Sequence, residues 1–221
     1  MPIYLYSMPW SPPCRAVLLL AENLGVEIIT RLVDTRSKDH LKPEFVKLAN
    51  ALVVLSSTAE DGEIEVRVSV GRAILGYLVD QYGKDDSLYP KDPKKRALVN
   101  QKLYFDIGTL FPRLKQYFVK WCSFHGKDPD ESQFQQIQEA VGFLEKFLEG
   151  QQWVAGDALT IADYNLLVSV ADIQSVGLVL SSYPNVSKWF HRAKAAIKGT
   201  EEQIVEQSRV FGRLFQDQLK K

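Results

Sequence analysis

Two cysteines, Cys14 and Cys122, are all that the 221 residues contain. They form no C-x-x-C pair, which argues against a disulfide scaffold and a thiolate zinc site. Histidine is nearly as scarce: His40, His125 and His191 are scattered, so no cluster has metal-ligand spacing and no metal is expected. An excess of charge of either sign is also missing, because Lys+Arg and Asp+Glu both number 27. That balance leaves no electrostatic footprint for nucleic acid or for an anionic membrane. No apolar run approaches the roughly 20 residues of a membrane span. The chain opens without a basic segment leading into an apolar stretch, so no secretory signal is expected. These absences fit a reducing, cytoplasmic setting.

What is present supports a well-packed α/β unit followed by helices. At 46% hydrophobic the chain can bury a substantial core, and its length allows one large domain or two small ones. The apolar run from Ile3 to Tyr6 predicts a strand. Residues 15–24 repeat at helical spacing and stop at Gly25. Strands are predicted over 27–33 and 52–57, with a short helix over 43–48 between them. Ile64, Val66 and Val68 alternate with Glu63, Glu65 and Arg67, the period of a half-buried strand. Helical spacing returns over 72–81, so the first 82 residues read β-α-β-α-β-β-α. After a polar linker the pattern is helical throughout. One long helix runs from Lys94 to about Cys122, which Pro112 should kink or break. Further helices are predicted over 131–148, 161–175, 185–197 and 204–215.

Two helix starts carry chemistry of their own. Ser11-Pro12-Pro13-Cys14-Arg15 follows the first strand directly. A hydroxyl there faces a helix end, where backbone N–H groups and the dipole favour an anion and can keep a thiolate ionised. Simple capping by Ser11, with the prolines shaping the turn, accounts for the same pattern. Thr160-Ile161-Ala162-Asp163 is a capping box with Asp in place of the usual Glu, and its role reads as structural.

Several stretches together resemble the cytosolic glutathione S-transferases, in particular those of the insect delta and epsilon classes. They are Met1-Pro2-Ile3 through Val17, His40-Leu41-Lys42-Pro43-Glu44-Phe45, Arg72-Ala73-Ile74-Leu75, Tyr82 through Pro93, Val154 through Asp163, and Tyr183-Pro184-Asn185-Val186. The resemblance implies a thioredoxin-like α/β domain over 1–83 that binds glutathione and a linker at 84–89. It further implies an all-helical domain over 90–221 with a pocket for small hydrophobic electrophiles, assembly as a homodimer, and a role in detoxification. Glutathione would be the co-substrate and Ser11 the residue that stabilises its thiolate. Lowering a thiol pKa of about 8.5 by about two units makes thiolate the majority near pH 7 and is worth roughly 2.7 kcal/mol. The resemblance also places His40, Val53, Val54 and Arg72 at the glutathione site. Tyr104, Phe105, Phe111, Arg113, Phe118 and Phe211 are the matching candidates for the electrophile pocket, although ordinary core packing is the commoner reason for such aromatics. Cys14 reads as a small buried residue rather than the reactive group.

Residues 49–71 depart from that family's pattern. No proline occurs between Pro43 and Pro90, whereas the family carries a cis-proline near Val54. A non-proline cis bond costs about 2.5–4 kcal/mol, so a trans bond and a rebuilt loop are expected. Val70 and Gly71 stand where the family has Glu-Ser, and neither supplies a charge or a hydroxyl. These losses suggest an alternative, a non-catalytic carrier of apolar ligands on the same fold.

Overall fold

A computed structural model of the protein describes residues 2–8, 10–34, 37–48, 54–58, 64–123 and 131–219. The N-terminal part is β1 (Ile3–Ser7), α1 (Pro12–Leu24), β2 (Ile29–Leu32), α2 (Pro43–Leu48), β3 (Val54–Thr58), β4 (Ile64–Ser69) and α3 (Gly71–Tyr82). The order matches the sequence pattern. The four strands form one sheet in the order β2-β1-β3-β4. β1 and β2 run parallel, with Tyr4 opposite Ile29, while β3 lies antiparallel to both β1 and β4. Alternation along β1 sends Ile3 and Leu5 into the main core, while Tyr6 joins Val33, Phe45 and Val54 in a separate cluster. Helices α1 and α3 contribute Ala16, Val17, Leu20, Ile74 and Leu78 to the main core. Gly25 ends α1 at φ 71°, the left-handed conformation that glycine adopts without steric cost.

The rest is helical. α4 (Pro93–Phe105) begins at Asp92, whose side chain accepts from the Lys95 N–H. The long helix expected from Lys94 does not merely kink at Pro112. It widens into a π-helical turn over Asp106–Leu110 before α5 (Phe111–Ser123), and the Phe111 N–H bonds to the Asp106 carbonyl. Pro112 lacks an N–H and its ring crowds the carbonyl four residues back, so the wider turn relieves the conflict ahead of it. α6 (Glu131–Phe147), α7 (Ile161–Ser175), α8 (Pro184–Ala196) and α9 (Gln207–Leu219) follow, and a second π-helical turn, Glu201–Glu206, precedes α9. Among the described residues no helix is long and apolar enough to cross a membrane.

α7 is the central post. Residues 161–173 are buried all round it, and one hydrophobic cluster runs from β1 through α1 and α3 to α7, α6 and α8. The segment between α3 and α4 is tied to α7's start by a bond from the Ile161 N–H to the Leu88 carbonyl. Asp163 anchors that start. It accepts from the Thr160 N–H at 2.8 Å, the Val154 N–H at 3.0 Å and Trp189 Nε1 at 2.8 Å, so the capping box also clips a loop and α8 to α7. Burial pushes its carboxyl up, and those donors pull it down. Asp163→Asn keeps the shape but turns two hydrogens toward the donor side. We expect a loss of about 2 kcal/mol, read as a lower urea midpoint.

Candidate active site

Ser11 closes the turn between β1 and α1. Its N–H bonds to the Met8 carbonyl at 3.0 Å, and its carbonyl accepts from the Cys14 and Arg15 N–H groups at 3.1 Å each. Pro12 and Pro13 fill the first two helical positions and have no N–H to offer. The free backbone donors expected at this helix end are therefore absent: two are removed by proline and the next two are used. The Ser11 side chain makes no capping bond. One turn along the helix stands the Cys14 thiol. Burial pushes that thiol up, against the downward pull of Ser11, the Met8 backbone and the Arg15 charge. Cys14 is thus a buried thiol, in keeping with the structural role expected for it.

The N-terminus of α3 approaches the same turn. A Cβ built on Gly71 would lie 2.8 Å from Pro13 Cβ, so this glycine permits the close approach. Val70 precedes it at φ 76° and ψ 114°, a region that a β-branched residue rarely occupies. Val70 side-chain burial is slight, at 41% exposed. Val70→Gly relieves the strain at some entropic cost in the unfolded chain. We expect a net gain of about 1 kcal/mol, seen as a raised denaturation midpoint.

Arg72 opens α3 but faces inward. Its Nε donates to Asp106 Oδ2 at 3.0 Å, Nη2 pairs with the same carboxylate, and the guanidinium stands 5.0 Å over the Phe111 ring. Asp106 Oδ1 takes the Ser169 hydroxyl at 2.8 Å. So Arg72 joins α3 to the π-helical turn and α7. His40 lies half-buried in a 3-10 turn, Asp39–Leu41, and its Nδ1 is buried with no hydrogen-bond partner among the described residues. Val54 is fully buried and pairs by register with Tyr6 and Ser69, so its side chain offers no surface to a ligand. Val53, and with it the peptide bond before Val54, lies outside the described residues. No peptide bond among the described residues is cis.

The structure divides the pocket candidates. Phe118 of α5 stacks on Phe211 of α9 with centroids 4.4 Å apart. Phe111 carries Arg72. Phe105 packs edge-on against Phe147 of α6 at 5.1 Å. Tyr104 is 68% exposed. Arg113 reaches α6, donating to the Gln136 carbonyl at 2.6 Å and to Glu139 at 2.8 Å.

Sequence reasoning overlooked the most buried ion pair. Arg15, with no exposed surface, pairs with Asp172 of α7 and donates to the Gln203 carbonyl at 3.0 Å and to Ser208 Oγ at 3.2 Å. The Ser208 hydroxyl donates in turn to Asp172 Oδ1 at 2.8 Å. One signal was available: Asn165, Ser169 and Asp172 interrupt an apolar helix at helical spacing, which marks a polar stripe on a buried face.

Comparison with known proteins agrees with this architecture. Residues 110–195 match the family model of the glutathione S-transferase C-terminal domain. Glutathione S-transferase D7 of Drosophila melanogaster is 42% identical over 202 residues, covering 90% of this chain and 88% of that protein. A delta-class glutathione transferase of Nilaparvata lugens is 43% identical with a TM-score of 0.88, covering 98% of this chain and all of that one. A glutathione transferase of Bombyx mori gives a TM-score of 0.89 at 34% identity, covering 97% and 98%. With this identity along nine-tenths of its length and this agreement in fold, the chain belongs to the glutathione S-transferase family.

Proposed function

We propose that the protein conjugates glutathione to small hydrophobic electrophiles, with the Ser11 hydroxyl stabilising the glutathione thiolate. The observation that carries this reading is the environment of Ser11. At a helix end where prolines remove the first backbone donors and the next two are occupied, its hydroxyl is the group able to donate to an incoming sulfur. A hydroxyl–thiolate bond is charge-assisted and strong enough for the roughly 2.7 kcal/mol that a two-unit pKa shift requires. His40, whose buried Nδ1 has no partner among the described residues, is the candidate polar partner for the rest of the tripeptide. Arg72 contributes indirectly, by fixing the start of α3. The Phe118–Phe211 stack, with Phe111 nearby in sequence, is the candidate wall for the electrophile.

In the same reading, residues 1–83 form the glutathione-binding domain, 84–89 the linker and 90–221 the helical domain. The enzyme acts in detoxification in the cytoplasm as a homodimer. Tyr104 and Ile107, 68% and 39% exposed and three residues apart, are apolar surface that a second copy would cover. Retention on immobilised glutathione and turnover of a chromogenic aryl halide test the proposal. A folded protein that does neither would refute it.

A further inference from the structure

We infer that Arg15 is a positioning residue for conjugation: through Asp172 and Ser208 it sets where α9, and with it Phe211, stands relative to the helix that begins at Ser11. The inference rests on the reading of Ser11 and the Phe118–Phe211 stack as the two sides of the reaction site.

Arg15 belongs to the same helical turn as Ser11, since its N–H bonds to the Ser11 carbonyl at 3.1 Å. Its guanidinium closes a ring with Asp172 and Ser208, all of it buried. Ser208 lies on α9 three residues before Phe211, and residues at that spacing share a helix face. Displacing Ser208 by half a helical turn would carry Phe211 with it and break its 4.4 Å stack on Phe118.

Apolar packing alone does not fix this segment. An open pocket of about 310 Å³ lies on one side, lined by Leu18, Leu32, Gln203 and Gln207 among others. A second, of about 240 Å³, lies on the other, lined by Phe190, Ile204, Ser208 and Arg209 among others. The turn between them is π-helical over Glu201–Glu206, a winding that adds a residue per turn and occurs mostly as a local irregularity. Polar clips hold it alongside the buried Ile204 and Phe211. Asn23 of α1 bonds reciprocally with Lys198, Nδ2 to the carbonyl at 3.0 Å and the Lys198 N–H to Oδ1 at 3.1 Å. The Arg15 ring is the second clip. Gly212 permits the final contact, because a Cβ there would lie 2.9 Å from the Ser175 carbonyl oxygen.

Ser208→Ala tests this without removing a buried charge. We expect the KM for an aryl halide to rise about fivefold, while the KM for glutathione and the pH midpoint of kcat/KM stay unchanged. Phe211→Ala should raise the same KM, and the double variant should match Phe211→Ala alone, since Ser208 acts through Phe211. A Ser208→Ala protein that is less stable but keeps its aryl-halide KM would reduce Arg15 to a structural role and overturn the inference, as would multiplicative effects in the double variant. Equilibrium binding of anilinonaphthalene sulfonate separates this failure from failure of the enzymatic reading. If the wild type conjugates nothing, equal and non-additive loss of probe affinity in the two variants still supports the inference. Loss on Phe211→Ala alone, or on neither, refutes it.

Discussion

Ser11→Ala is expected to lower kcat/KM for aryl-halide conjugation about 100-fold near neutral pH, the scale of losing one preorganised donor to a developing or stored anion. The size follows from what surrounds the residue. At most helix ends a lost side-chain donor leaves backbone N–H groups that share the charge. Here Pro12 and Pro13 have none, and those of Cys14 and Arg15 are bonded to the Ser11 carbonyl. From that first turn of the helix only the dipole remains. The bound thiol should then titrate about two units higher, as that loss of roughly 2.7 kcal/mol implies. The sign makes a second arm of the test. A depressed thiol pKa helps at neutral pH and is irrelevant once the pH exceeds the ordinary thiol value. The variant should therefore approach the wild-type rate in alkaline buffer, with the ultraviolet absorbance of bound thiolate moving in step. Full activity at neutral pH would remove Ser11 from the chemistry.

Arg15→Ala should be the most destabilising single change considered, about 3–5 kcal/mol, because it leaves a buried carboxylate without its counter-ion. Asp172 would keep the Ser208 hydroxyl but have no exposed surface through which to recover solvation. For a protein whose whole stability is about 5–15 kcal/mol, that is a large fraction. Removing both charges together has a different cost. Arg15→Met with Asp172→Leu replaces a desolvated pair by packed apolar side chains and should come within about 1–2 kcal/mol of the parent. Denaturant midpoints of the two singles and the double form the cycle that separates the pair from its burial. A double variant as unstable as Arg15→Ala would place the cost in packing rather than charge.

The order of elements was legible because periodicity is a local property: alternation over 64–68 and helical spacing in α1, α3 and α6 are each written within one segment. The capping box at Thr160 was legible for the same reason. The π-helical turn before Pro112 was visible only as a conflict, since proline announces a break without saying how the chain absorbs it. Within the site, Ser11 stood out through its turn, but the loss of helix-end donors to Pro12, Pro13 and the Ser11 carbonyl depends on where each N–H finally points. Arg15 and Arg72 are harder still. An arginine at a helix start reads as surface or ligand-binding until its partner is known, and the partners, Asp172 and Asp106, lie 157 and 34 residues away. Residues 49–53 lie outside the described residues, and their departure from the family pattern stands as a sequence observation.

The distance between Arg15 and Asp172 also sets a schedule. A ribosome adding about 5–20 residues per second needs roughly 8–30 s to make the 157 residues that separate them. Through that interval the nascent α1 carries a cation meant for a dry interior, with nothing to neutralise it. Water must go on solvating that face of the helix until α7 emerges. The N-terminal unit can form its sheet early, but the last step of its burial waits for the second half of the chain.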